Sequence, residues 1–455
     1  MKLQHIIRSR GIEITAKLLQ GCLSEHQQRV SRFDMLENYY LGNHQILRRD
    51  TLPHTPNNRL AHPFPRYITN TTTGYMFGNP IQYQPREEIG DISALTDMLD
   101  VMDTASHDAE VGKDLSIFGT AYELLYIPDY DGEANVRIAL LDPRTAFVVY
   151  DDDVACNPMF GVYYVKTKDA GGADSGYMIT AVTAASRFVY RAENLADEPT
   201  LVTQVVNVFG VLPMVQYVNN EDGRGDYEDV LSLIDAYNVL ESDRVNDKER
   251  FVNALLVIKN ATLGDEPEEI ERMLKGGIIE LPGEGSHAAD AGYLTKMLNE
   301  TETEVLKRAI AMDIHKFSHT PDFSDEQFSG NASGVAMRFK VLSLEYLAKV
   351  KERFFVFGLR ERLHILSAVS SLMAKPAFDP QSIKIVFNRT LPNNELEIAQ
   401  TVATLSGIVS TETLLTQLPF VMDVEAEAEK LRAENAERTE NQVNMLSNKM
   451  RMEMG

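Results

Sequence analysis

Tryptophan is absent from this 455-residue chain, and cysteine occurs only at positions 22 and 156. Two thiols supply no disulfide framework, which fits a protein made in a reducing cytoplasm. No run of about 18 apolar residues offers a membrane span. The stretch Met1–Leu23 alternates charged and apolar residues and lacks the apolar core of roughly 7–15 residues that a signal peptide needs. Positive charge is also scarce: 44 Lys and Arg face 67 Asp and Glu, a formal net charge of -23. Such a surface repels phosphate, which argues against tight nonspecific nucleic-acid binding but not against a pore through which DNA slides. Basic residues nowhere cluster with aromatics as a single-strand stacking platform requires. What is present is ordinary for a folded protein, with 44% hydrophobic and 24% charged residues. The length suits two to four compact units at roughly 100–200 residues each.

Catalytic signatures are missing as well. There is no Gly-x-x-x-x-Gly-Lys-Ser/Thr phosphate loop, since Gly283-Glu284-Gly285-Ser286 is acidic and lacks the lysine, and no Gly-x-Ser-x-Gly elbow. His315 and His319 share a helix face, but Lys316 stands where a zinc protease needs glutamate, and Pro321 ends the helix. Asp129-Tyr130-Asp131-Gly132 lacks the third ligand and the closing Glu of a calcium loop and reads as a turn. Asp151-Asp152-Asp153 offers carboxylates to a divalent cation, and a metal-dependent hydrolase or nuclease built on it is the rival reading. Lying between two strand-like runs, the same triplet reads as an acidic hairpin loop, because hard cations need oxygens from several directions. No enzyme activity, metal or cofactor is expected.

The pattern of elements predicts an α+β protein. Helices are expected at Gln27–Leu41, from Tyr67 to the Gly74–Pro80 stop, and at Ile92–Ser116. Strands follow about every ten residues at Ala121–Ile127, Val136–Leu141, Ala146–Tyr150, Gly161–Lys166, Met178–Val182, Phe188–Arg191 and Val202–Val208, as in a meandering antiparallel sheet. From Tyr227 the period turns helical, with Val230, Ile234, Tyr237, Leu240 and Arg244 on one face. A small α/β insertion, with strands at Leu255–Lys259, Ile278–Leu281 and Gly292–Leu298 and a short helix at Pro267–Leu274, separates this helix from one at Glu302–Lys316. Ile383–Phe387 reads as a strand, and helices are expected at Glu395–Ser406, Thr411–Leu418 and Val424–Asn448.

The segment Thr320–Leu366 is the most telling. A Pro, Gly, Ser and acid-rich loop leads into a proline-free run with Val335, Phe339, Leu342, Tyr346, Val350, Phe354 and Phe357 at helical spacing. One helix carrying this pattern from Val335 to about Leu372 would be roughly 55 Å long. Arg338, Lys340, Lys349, Arg353, Arg360 and Arg362 fall elsewhere around it, and Glu345 and Lys349 make an i,i+4 pair. A lone subunit would leave part of such a stripe wet, whereas neighbouring subunits of an assembly would cover it.

Four segments in this order carry a family resemblance: Gly74-Tyr75-Met76-Phe77-Gly78-Asn79-Pro80-Ile81; Phe118-Gly119-Thr120-Ala121-Tyr122-Glu123; Pro213 through Asn219-Asn220 and Gly225-Asp226-Tyr227-Glu228 to Ser242-Asp243; and Gly330-Asn331-Ala332-Ser333-Gly334-Val335-Ala336. Through them the chain resembles the portal proteins of long-tailed double-stranded DNA bacteriophages over roughly residues 30–440. The resemblance implies a homo-oligomeric ring, usually of twelve copies, at one capsid vertex of the virion, assembled in the host cytoplasm. Double-stranded DNA would enter and leave through it. The expected partners are the terminase large subunit, head-completion or connector proteins, and the major capsid and scaffolding proteins, with no membrane.

The same resemblance implies a map: a wing of helices and antiparallel sheet at 1–226, stem helices at 227–253 and 302–316, and a small α/β clip at 254–301. A tunnel loop follows at 317–332, then the long tunnel-wall helix and a return strand of the wing at 333–393, and a helical crown with the C-terminal tail at 394–455. The implied channel residues are Asp322, Phe323, Asp325, Glu326, Gln327, Phe328 and Asn331 in the loop. The implied stem-helix residues are Asp235, Tyr237, Glu241, Arg244, Lys248, Lys307 and Arg308. The implied docking residues of the clip are Lys259, Glu268, Glu269, Glu271, Arg272, Lys275 and Glu284. The loop is net negative, so a glide rather than a grip on DNA is expected.

Overall fold

The computed structural model describes residues 5–50, 55–86, 92–128, 135–252, 255–259, 278–281, 290–294, 300–323, 338–373, 376, 378–389, 395–418, 421, 424 and 427–436. The protein mixes helix and sheet and divides into two compact units, one of Met1–Pro321 with Ser343–Thr390 and one of Asp322–Leu342 with Leu391–Gly455.

Helix α1 spans Ala16–Leu41, capped by the Thr15 hydroxyl, which accepts from the Leu18 N–H, and closed by Gly42 at φ 91°. It starts eleven residues before the expected Gln27, because Leu19, Cys22, Leu23 and His26 extend the buried face of Phe33, Leu36 and Tyr39 backwards. Helix α2, Phe64–Phe77, carries Pro65 in its first turn, where no intrahelical N–H is needed. The single helix expected at Ile92–Ser116 is two, α3 at Ser93–Val101 and α4 at Thr104–Phe118, broken where Asp103 adopts φ 50°. Gly119 ends α4 at φ 80°, and a Cβ there would lie 2.2 Å from the Gly223 carbonyl oxygen, so both conformation and space require glycine.

The expected meander is not one sheet. Strands β3 (Thr120–Tyr126) and β4 (Arg137–Leu141) pair with β10 (Met214–Val218) in a three-stranded sheet of order β10-β3-β4. Strands β5 (Ala146–Asp151), β6 (Pro158–Lys168), β7 (Asp174–Thr183), β8 (Ser186–Ala192) and β9 (Thr200–Val206) form a second sheet. Its sixth strand, β1 (Ile6–Arg8), lies parallel to β5, so the sheet is not purely antiparallel. Neither β1 nor β10 was expected: three residues leave no periodicity, and buried β10 does not alternate. A two-stranded pair joins β2 (Gln82–Pro85) to β14 (Ile383–Val386), which brings the chain after the long helix back to this unit.

A short 3-10 turn at Glu228–Val230 leads into α5, Leu231–Val252, and α6, Glu300–Phe317, returns against it as a hairpin. Between them lies a three-stranded sheet, β12-β11-β13, made of β11 (Leu255–Lys259), parallel β12 (Ile278–Leu281) and antiparallel β13 (Asp290–Leu294). The third strand therefore begins at Asp290, two residues before the expected Gly292, and residues 295–298 of the expected strand lie outside the described ones. Helix α7, Leu342–Leu372, is about 46 Å long. A turn at Val341 separates it from helical residues 338–340, so the rod is not continuous from Ser333; residues 324–337 lie outside the described ones. In the second unit, α8 (Glu395–Leu405) and α9 (Thr411–Leu415) precede a helical stretch at 427–436.

Candidate functional site

The hairpin of α5 and α6 concentrates charge. Across the two helices stand nine acidic and six basic residues. Arg244 reaches Glu304 at 3.0 Å, Glu300 at 3.2 Å and Glu241 at 3.4 Å. Lys248 meets Glu300 at 3.1 Å, Lys307 lies 3.7 Å from Glu241, and Arg308 pairs with Glu304 at 3.2 Å. Each expected cation of the hairpin thus faces a carboxylate of the same chain. Lys248 hydrogen-bonds Glu300 and holds its carboxyl below the ordinary range, and Arg308 does the same to Glu304. Burial alone would lower Arg244, but Glu300, Glu241 and Glu304 outweigh it and raise it.

Asp235 and Tyr237, named with those cations, are turned toward the body of the subunit. Asp235 accepts from the Tyr39 hydroxyl at 2.7 Å, and buried Tyr237 packs edge-on against His62 and Phe64. Of the expected loop residues, Asp322 and Phe323 are described, Phe323 being exposed, whereas Asp325, Glu326, Gln327, Phe328 and Asn331 lie outside the described residues. Lys259 stands exposed at the end of β11; Glu268, Glu269, Glu271, Arg272, Lys275 and Glu284 also lie outside them.

Helix α7 carries two apolar faces. Leu344, Ala348, Phe355, Leu359, Leu363, Leu366 and Val369 are buried in the subunit's own core. The stripe read from the sequence is the other face: Tyr346 is 60% exposed, Val350 43% and Phe357 65%. The subunit buries the first face and leaves these residues of the second in water.

Two buried ionic contacts hold the first face in place, and neither stood out in the sequence. Lys351 meets Asp226 at 2.6 Å, both nearly fully buried, and Asp226 also accepts from Asn219. This pins the turn before α5 to the middle of α7. Arg362, placed by the sequence off the apolar stripe, is fully buried. It makes hydrogen bonds of 2.5–3.1 Å to Glu123 on β3 and an ion pair at 2.7 Å to Asp108 on α4. His107 adds a 3.0 Å contact to Glu123, and the Tyr217 hydroxyl donates to Glu123 at 3.1 Å. Burial would raise the Glu123 carboxyl, but Arg362 and His107 hold it down to about 2. A signal did exist: Lys351, Phe355 and Arg362 share one helical face, so two cations interrupt an apolar stripe.

The acidic triplet is a braced turn. Asp151 accepts from the backbone and side-chain N–H groups of Asn157, Asp152 from the Arg10 backbone, and Asp153 from the Val154 backbone. His315 contacts the Thr320 carbonyl at 3.0 Å, and His319, at φ 57°, contacts the Ser343 hydroxyl at 2.8 Å; both finish a helix end. Among the described residues, no group of three or more His, Cys, Asp or Glu could hold a metal ion, and no helix is long and apolar enough to cross a membrane.

Residues 19–441 match the family model described as phage portal protein, SPP1 Gp6-like. The portal protein of Bacillus phage SPP1 is 25% identical over 460 residues, covering 94% of this chain and 88% of that protein. The portal protein of Clostridium phage phiCD119 is 23% identical over 439 residues, covering 91% of this chain and 94% of that one. Among solved structures, a chain from the neck of an empty GTA particle, computed with C6 symmetry, has 14% identity and a TM-score of 0.40 and covers 78% of this chain and 89% of that one.

Proposed function

We propose, from the premise that this chain belongs to the SPP1 Gp6-like family of phage portal proteins, how its subunit does a portal's work at the capsid vertex. The family is structural rather than enzymatic, which retires the hydrolase reading of Asp151–Asp153. Copies of the chain close side by side into a ring, twelve by the family resemblance, around a hole wide enough for duplex DNA. The observation that carries this reading is the second apolar face of α7, with Tyr346, Val350 and Phe357 left in water by the lone subunit. Exposed aromatic stripes of this kind mark surfaces that another chain covers.

In this ring α5 and α6 are the stem, the β11–β13 sheet with its connections is the clip, and residues 317–332 form the tunnel loop. Residues 1–226 and 333–393 make the wing, and 394–455 the crown and tail. The clip receives the terminase motor during packaging and head-completion proteins afterwards, and the wing meets capsid and scaffolding protein. Negative-stain electron microscopy of the purified protein is expected to show rings with a central hole. Strictly monomeric globular particles at high concentration would overturn the proposal.

A further inference from the structure

Three buried polar side chains stand one helical turn apart on α5: Asn238, Ser242 and Asn246. Each accepts a backbone N–H from the segment before α2. His62 donates to Asn238 at 2.8 Å, Leu60 to Ser242 at 3.0 Å and Asn58 to Asn246 at 2.7 Å. Alternate residues of an extended chain are spaced about 6.6 Å apart, and four residues of helix rise about 6.0 Å, so the two repeats run in step. The strap lies antiparallel to the helix. Continued by one step, the ladder meets Pro56, which has no N–H, and Phe64 opposite Ile234, which has no acceptor in its side chain. The segment 58–62 is therefore bound to α5 by side chains alone.

Hydrogen-bond directions at the upper rung are forced. The His62 N–H can only donate, so the Asn238 oxygen faces it, and the Asn238 amide nitrogen faces His44 Nδ1 at 2.8 Å. His44 Nδ1 must accept. The Tyr39 carbonyl can only accept, so His44 Nε2, 3.0 Å away, carries the proton. His44 is fully buried and stacked on the Tyr39 ring. A second proton on its Nδ1 would point at the Asn238 NH₂, and relief by an amide flip would break both contacts to His62.

His62 sets no such conflict, because its Nδ1 already donates to the Asn238 oxygen at 3.1 Å. The other charged groups facing the strap are Asp235 through the Tyr39 hydroxyl, Arg49 paired with Asp243, and Glu249 accepting from Asn58. Burial lowers the His44 pKa, and the hydrogen bond to the Tyr39 carbonyl and then the Asp235 charge oppose that only in part.

We propose that the 58–62 strap is a proton-sensitive clamp on α5, in which Asn238 reads the protonation of His44 and releases the strap in acid. It fixes α5 against the α1–α2 body, and the inference holds whether or not the hairpin is a stem.

Hydrogen-exchange mass spectrometry of the full-length protein tests it. Opening of 58–62, corrected for intrinsic exchange, is expected to rise about tenfold from about pH 7.5 to about pH 5.5, one proton's worth below the ordinary imidazole value. Amides of the β5–β8 sheet, which packs on His26, are followed in parallel, and in a His26→Gln background they stay unchanged over the same interval. His44→Gln, which can still donate and accept, flattens the profile. Asn238→Asp inverts it, because a carboxylate accepts from protonated His44 while still accepting from His62. A flat wild-type profile overturns the proposal, as does one that persists in His44→Gln or loosens the whole subunit in parallel. The wild-type profile decides the matter even where a variant fails to fold.

Discussion

Replacing Tyr346 and Phe357 with serine separates assembly from folding. An aromatic side chain buries about 150–250 Å², so exposures of 60% and 65% leave on the order of 100–150 Å² of each ring uncovered. At about 25 cal/mol per Å², full coverage by a neighbour is worth up to about 4 kcal/mol per ring. Even about 2 kcal/mol lost from the pair weakens each subunit contact more than tenfold, and the loss recurs at every contact of a closed ring. The subunit's own stability is expected to move by no more than about 0.5 kcal/mol, since neither side chain belongs to its core. Leu359→Ala on the opposite face reverses the pattern, costing the fold about 2–5 kcal/mol. Mass photometry across a concentration series reads assembly, and far-UV circular dichroism melts read folding. If the double variant closes into rings at wild-type concentration, or melts as early as Leu359→Ala, the two-faced account of α7 is wrong.

Three further outcomes follow from the same structure. Arg362→Leu strands Glu123 and Asp108 as buried charges and is expected to cost about 3–5 kcal/mol in chemical denaturation; a cost under about 1 kcal/mol would mean the centre is not what joins α4, β3 and α7. Burial drives the His26 pKa down to about 4, so its folded form binds fewer protons than the unfolded chain between about pH 6.5 and 4. Stability should therefore fall as pH drops through that window, by about 3 kcal/mol in total, and His26→Gln should remove this component from pH-dependent melting curves. Assembled rings should bind duplex DNA weakly at physiological salt, and nanomolar affinity with a steep salt slope in fluorescence anisotropy would contradict an acidic conduit.

Much of the fold was legible because its signals are local. The helical period from Tyr227, the Gly74–Pro80 stop and the ten-residue strand rhythm depend on neighbours in sequence, and the elements appear within a few residues of where those signals place them. The errors share a cause too. Splitting of the meander into two sheets is decided by β10, which pairs with β3 across about ninety residues of chain, and no local pattern records that partner. Burial of Arg362 is likewise settled by carboxylates from α4 and β3. The wet stripe of α7 was visible as a stripe, but its periodicity matched that of the buried one, and only packing told them apart. The Asn238–Ser242–Asn246 spacing is plain in the sequence, yet polar residues at i,i+4 also describe a solvated face.

If α5 and α6 are the stem proposed above, their charge bears on how DNA would move along them. Surface ion pairs contribute about 0–1 kcal/mol each, so those of Arg244, Lys248, Lys307 and Arg308 add little to stability. Their consequence lies elsewhere. Each cation already faces Glu241, Glu300 or Glu304, and a passing phosphate must displace a covalently linked carboxylate to reach it. The acids are in excess, so their replacement by glutamine, not the loss of the cations, is the change that would create adhesion. Glu300→Gln with Glu304→Gln leaves Arg244 one carboxylate, that of Glu241, and removes the facing charge from Lys248 and Arg308. A conduit so altered should hold duplex more tightly and show a steeper salt slope, each newly available cation adding about 0.9 to its magnitude. If tightened binding does not accompany the substitution, neutralisation within the subunit is not what would keep phosphate off the proposed stem.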